Sequence, residues 1–233
     1  AASVAAILST PSDTTVPIPE PTSTQEGNQS SKGIRTVVQN LENPWAIDIA
    51  EDGRIFLTEK PGRVRMVHAN GTLMAEPVVN IRAEDKGEAG LLGLALHPNF
   101  TENHLMYVYH TYHNNGRVYN KVLMLTEKDN KVTDSKIILD GIPASDSNNG
   151  GQIKFGPDGK LYISTGDSEI PELAQDPKSL AGKILRINFD GTIPDNNPFA
   201  KSPVYSYGHR NIQGFEWHKI SKKLYASENG PGG

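Results

Sequence analysis

Hydrophobic and polar positions alternate in short runs along most of the chain, and turn residues separate the runs. The clearest stretch is 148–167, NNGGQIKFGPDGKLYISTGD. Gln152-Ile153-Lys154-Phe155 alternates as a half-buried strand does. Gly156-Pro157-Asp158-Gly159 then reads as a turn, because proline presets φ and glycine supplies a left-handed position. Lys160 to Thr165 alternates again through Leu161 and Ile163 and ends at Gly166-Asp167. The pattern predicts a β-hairpin that brings Asn148 and Asp167 to the same end of two paired strands. This is the geometry of a site, and also of the ordinary polar mouth of a sheet.

The alternation recurs from Gly33 onward, with hardly any helical periodicity. Strands are expected at 45–49, 54–58, 64–68 and 77–81, then at 91–97, 105–112, 118–126 and 136–139. A third set begins with the hairpin above and continues at 183–189 and 204–207, and a fourth supplies 213–217 and 224–227. Their opening hairpins are similar to one another: IAEDGRIFLTE, LHPNFTENHLMYVYH, FGPDGKLYISTG and WHKISKKLYASE. Repeats of roughly 40–60 residues, each a four-stranded antiparallel unit, predict an all-β fold of the β-propeller type. A β-sandwich would alternate too, but its strands would not recur as four-strand modules with one opening hairpin. About three and a half blades are expected within 33–233, too few for a ring of about four to eight. This predicts a propeller domain incomplete at its C-terminus.

Residues 1–32 read differently. Ala1 to Leu8 is apolar but too short to span a bilayer, and suits the tail of a signal peptide or anchor. Ser9 to Lys32 is dominated by Ser, Thr, Pro, Gln, Glu, Asn and Gly, a composition unable to offset its ordering entropy. It predicts a disordered tether. Sequons beginning at Asn28, Asn70 and Asn99, together with the tether, suit an extracytoplasmic location: secreted, periplasm-like, or anchored by an upstream segment.

Composition narrows the chemistry. The net charge is −4 and charged residues are spread out, so no clustered basic face for nucleic acid is present. The chain has no cysteine, which excludes thiol catalysis, disulfides and thiolate metal sites. The seven histidines match no zinc spacing. His110 and His113 end a strand, where exposed loop histidines are the plainer reading.

Several motifs taken together resemble the glucose/sorbosone dehydrogenase family, the soluble quinoprotein aldose dehydrogenases. They are NPWAIDIAEDGRIFLTEKPGRV, GEAGLLGLALHPNF, GGQIKFGPDGKLYISTGD, SLAGKILRINFDGTIPDNNPF, YGHRNIQGFEW and SENGP, in family order from Asn43 to Pro231. The resemblance implies a six-bladed propeller binding pyrroloquinoline quinone (PQQ) and calcium. It implies that Glu88, Arg210 and Asn211 lie on the cofactor, and that the backbone carbonyls of Gly230 and Pro231 bind the calcium. A planar guanidinium suits carboxylate and ortho-quinone oxygens, and calcium accepts carbonyl ligands. Asp167 matches the acid that orients the family's catalytic histidine. That histidine's place is taken by Asn148, and Gln152 stands where the family has arginine. Asn has no proton acceptor that titrates near neutral pH, so it cannot be a general base.

Three readings follow from this departure: a weakened enzyme, a base relocated elsewhere, or a propeller that binds without catalysing. The first choice is a quinoprotein oxidoreductase that oxidises the anomeric hydroxyl of an aldose, with a sugar substrate and an external electron acceptor as partners. The alternative is a non-catalytic propeller of the same family that binds a ligand or protein. A lactonase-like calcium hydrolase lacks the family-ordered motifs and ranks last.

Overall fold

The computed structural model describes residues 34–230 in full, together with the backbone of a strand at Ala2–Ala6. The proposed tether, Ser9–Lys32, and Pro231 lie outside the described residues. Strand β1 (Ala2–Ala6) pairs antiparallel with β2 (Arg35–Leu41). No described helix is long and apolar enough to cross a membrane.

Three four-stranded antiparallel sheets follow in chain order. The first holds β3 (Pro44–Ile49), β4 (Ile55–Glu59), β5 (Arg63–Val67) and β6 (Val79–Asn80). The second holds β7 (Leu91–Leu96), β8 (Leu105–Asn114), β9 (Arg117–Lys128) and β10 (Lys131–Pro143). The third holds β11 (Gly150–Phe155), β12 (Leu161–Thr165), β13 (Lys183–Ile187) and β14 (Val204–Tyr207). A pair, β15 (Ile212–Trp217) and β16 (Leu224–Glu228), closes the described chain. In every four-stranded sheet neighbours in sequence are neighbours in space. The predicted hairpin is present, with Ile153 opposite Ile163 and Phe155 opposite Leu161.

Each core lies between consecutive sheets, which is why an isolated blade cannot be stable. Phe56, Val64 and Met66 of the first sheet pack on Leu91, Leu94, Met106 and Val108 of the second. Leu92, Tyr107 and Tyr109 of the second pack on Ile153, Leu161, Ile163 and Leu185 of the third. Tyr162 and Ile184 then meet Ile212, Phe215 and Trp217. Full burial of such a side chain is worth roughly 1.5–3 kcal/mol. The opening strands touch in series, β3 on β7, β7 on β11 and β11 on β15, as the innermost strands of propeller blades do.

The departures from expectation lie where local patterning is weak. Strand β2 was not expected. It is held by Val38 and Leu41 packing on Leu57 and Val67, a contact with the first sheet. Strand β10 is far longer than 136–139, because it follows the register of β9 as an exposed outer strand. The turn at 98–103 contains a short helix, α1 (Phe100–Asn103), and α2 (Pro171–Gln175) starts on a proline that suits a first helical turn.

His110 is buried, not an exposed loop residue, because β8 runs between β7 and β9 at this point. Its Nδ1 lies 3.2 Å from the Thr111 carbonyl, and Nε2 has no partner among the described residues. Burial pushes the imidazole down to about 4, with Thr111 opposing, Lys121 adding and Asp140 opposing. An unfolded imidazole titrates near 6.5, so from there down to about 4 the unfolded chain binds more protons. Stability contributed by neutral His110 is therefore complete above about 6.5 and lost as the pH falls, by up to about 3 kcal/mol. Denaturant melts of the wild type and His110→Phe between pH 7 and 4.5 should show a steeper acid loss in the wild type. Parallel curves would refute the assignment.

Candidate functional site

The chain enters the first strand and leaves the second strand of each sheet at the same end. Glu88 precedes β7, Asn148 precedes β11 and Asp167 follows β12. Arg210 and Asn211 precede β15, and Asn229 and Gly230 follow β16. Antiparallel pairing therefore collects these residues around one mouth. Glu88, Asn148, Asp167, Arg210 and Gly230 line a single cavity of about 530 Å³. Ser147, Glu169, Pro171 and Asn229 complete the wall.

Asn148 and Asp167 are nearly buried, at 7% and 3% exposed. The Asn148 Nδ2 donates to Asp167 Oδ1 at 2.9 Å, and the Glu169 backbone N–H donates to the same oxygen at 2.9 Å. An ionised carboxylate only accepts, so the amide must turn its NH₂ toward Asp167 and its carbonyl away. Asn148 sits at φ +54°, a left-handed position that asparagine adopts more readily than most residues. The neighbouring Asn149 holds this turn. It accepts from Asn120 Nδ2 at 3.2 Å and donates to the Ser145 carbonyl at 2.7 Å. Tyr109 also donates to its backbone carbonyl, at 2.9 Å.

Glu88 ties three segments together. Its Oε2 accepts from the Asn148 backbone N–H at 2.7 Å and from Asn211 Nδ2 at 3.3 Å. Asn211 stands behind the wall, not on it. It is 1% exposed, and its Oδ1 accepts from the Gly150 N–H at 3.0 Å and Gln213 Nε2 at 2.9 Å. The Arg210 guanidinium donates to the carbonyls of Asn229 and Gly230, at 2.9 and 3.2 Å. Pro231, the other expected carbonyl, is outside the described residues. Among the described residues no histidine lines the cavity. His209 turns instead to Ser206 and Glu228.

The remaining wall was not singled out by its sequence. Ser168 and Glu169 both have positive φ although neither is glycine, and this double turn swings Glu169 and α2 over the cavity. Lys183 pins that segment from below. It is fully buried, and Nζ donates to the carbonyls of Leu173, Ala174 and Ala181 at 2.8, 2.9 and 2.5 Å. Burial pushes its ammonium down to about 8. All three donors are used, so Lys183 acts as an internal brace. Among the described residues no group of three His, Asp or Glu side chains could hold a metal. The expected calcium ligands are backbone carbonyls, which such a grouping does not include.

With this geometry in view, comparison with known proteins is decisive. The glucose/sorbosone dehydrogenase family profile matches residues 41–233.

The chain belongs to the glucose/sorbosone dehydrogenase family.

It is similar to the solved PQQ-bound form of aldose sugar dehydrogenase from Streptomyces coelicolor: 36% identity, TM-score 0.77, covering 83% of this chain and 58% of that one. It is also 31% identical to quinoprotein glucose dehydrogenase B of Acinetobacter calcoaceticus, over 84% of this chain and 48% of that protein. A relative whose name describes an interaction, human Hedgehog-interacting protein, is 31% identical over 72% of this chain and 28% of its own length. The chain spans between 48% and 59% of the length of the first curated relatives it matches.

Proposed function

We propose that the protein is a quinoprotein oxidoreductase that oxidises the anomeric hydroxyl of an aldose and passes the electrons to an external acceptor. The observation carrying this reading is the convergence of Glu88, Asn148, Asp167, Arg210 and Gly230, from separate sheets, on one polar cavity. The cavity suits PQQ in chemistry. Arg210 supplies a planar donor fork for quinone and carboxylate oxygens, and Asn211 and Glu88 brace the floor beside it. When bound, PQQ supplies the two-electron oxidising power. The chain supplies orientation and charge.

Charge also bears on calcium. The wall carries Glu88, Asp167 and Glu169 against Arg210 alone. An anionic quinone would be repelled unless further positive charge accompanies it. A hard cation taking the Gly230 carbonyl would supply that charge, with Pro231 as the second carbonyl expected from the family motif. Such an ion competes with Arg210, which now donates to the Gly230 oxygen. Calcium binding should therefore free the guanidinium to face the quinone.

The second reading, a propeller that binds without catalysing, is favoured by Asn148 and by the relative named for an interaction. An extracytoplasmic location suits both readings. Titration calorimetry of PQQ into the full-length protein, with and without calcium, separates them. The enzyme reading expects saturable binding that strengthens at least tenfold with calcium. Absence of PQQ binding under both conditions would leave the binding module standing and the dehydrogenase refuted.

A further inference from the structure

We propose that Asp167 is itself the proton acceptor of this site, not the orienting partner of a base. The inference rests on the quinoprotein reading above. The two carboxylate oxygens of Asp167 have different surroundings. Oδ1 is occupied by two donors, Asn148 Nδ2 and the Glu169 N–H, each at 2.9 Å. Oδ2 has no hydrogen-bond partner among the described residues, although the residue is 3% exposed and lines the cavity. Oδ2 is not among the buried polar atoms left without a partner, so it is open to a donor that a ligand in the cavity supplies. A substrate hydroxyl is such a donor.

The geometry also explains how a site can work with asparagine in the histidine's place. An imidazole at 148, held by Asp167 Oδ1, would present its own ring nitrogen to the cavity as the proton acceptor. The shorter amide leaves one carboxylate oxygen open to the cavity while fixing the other. Its own carbonyl, turned away from Asp167, is free to accept a second hydroxyl and orient the sugar. The other wall acids are placed less well. Glu88 is exposed and its Oε2 is committed to Asn148 and Asn211, while Glu169 is exposed at the turn. Arg210 is cationic and its guanidinium is engaged with the Asn229 and Gly230 carbonyls.

In the reaction the O–H bond of the substrate alcohol breaks and its proton goes to Asp167 Oδ2. A quinone held in the cavity would supply the two-electron oxidising power, accepting the hydride released as the carbinol C–H bond breaks at the same centre. A carbonyl forms from the C–O bond. The two electrons lost by the alcohol would thus be taken up by that oxidant, and Asp167 returns its proton to solvent.

The test uses full-length protein loaded with PQQ and calcium. Asp167→Asn is expected to lower kcat by about 10²–10⁴-fold, the usual size of a general-base effect, while PQQ affinity by calorimetry is retained or strengthened, because one negative charge leaves the wall. Asn148→His should move the acid limb of kcat/KM to higher pH, because the proton acceptor changes from a carboxylate to an imidazole. Wild-type PQQ binding together with an Asp167→Asn rate within threefold of wild type would overturn this proposal alone. An acid limb that Asn148→His leaves in place would do the same, and it decides the matter even where Asp167→Asn does not fold. Failure of the wild type to bind PQQ would overturn the quinoprotein reading and this inference with it.

Discussion

Asn148→His, made in the full-length protein, should raise aldose oxidation by roughly 10–10³-fold at neutral pH, because imidazole is the better-matched base there. The site is prepared for the change. Histidine, like asparagine, is among the residues enriched at left-handed φ, so the +54° backbone of residue 148 can be kept. Asp167 Oδ1, now 2.9 Å from the amide nitrogen, can accept one ring N–H and fix the tautomer. The other ring nitrogen then faces the cavity as acceptor. Steady-state rates with an artificial electron acceptor measure the gain, and PQQ affinity should hardly move because Arg210 and Glu88 are untouched. Activity remaining at background, despite PQQ binding, would show that the reacting carbon does not lie near residue 148.

Gly166→Ala should disable the same site from behind. A Cβ at Gly166 would overlap the backbone carbonyl of Asn148 and approach the Asn149 nitrogen to 2.9 Å. Neither segment has room to retreat. The Gly166 carbonyl accepts from the Gly182 N–H at 2.7 Å, and the next residue's N–H donates to the Arg210 carbonyl at 2.7 Å. On the other side, the Ser168 N–H donates to the Asn148 carbonyl at 3.1 Å. Overpacking of this kind costs about 1–3 kcal/mol, which corresponds to a fall in Tm of about 2–10 °C. Since the displaced backbone also holds Glu88 and Arg210 in place, PQQ affinity should fall at least tenfold too. An alanine variant with wild-type Tm and PQQ affinity would show that this approach is looser than the structure indicates.

The blade plan was legible because period-two alternation and Gly/Pro turns report directly on strands and hairpins. Leu161, Ile163 and Leu185 announce their strands by themselves, and the four similar hairpins announce the repeat. The same logic puts Asn148 and Asp167 together, since a hairpin must bring its two outer ends to one side. Strand β2 and the outer part of β10 escaped notice for the converse reason. Their residues are stabilised by register with a neighbour or by packing on a distant sheet, not by a strong pattern of their own.

Local patterning thus sets the element order, the repeat and which residues stand at the site-bearing ends of the strands. These depend on interactions between residues close in the chain. Contacts between blades set which of those residues face the cavity and which support it. Asn211 lies behind the wall because Glu88, 123 positions away in sequence, reaches it across two sheet boundaries. Glu169 lines the cavity because two consecutive non-glycine residues take positive φ and Lys183 anchors the following segment from beneath. His110 is buried by the strands on either side of it, and Asp167 keeps one oxygen open because Asn148 and the Glu169 N–H share the other. Such arrangements arise from packing between blades, where the energy depends on atoms brought together by the whole fold, and no local alternation encodes them.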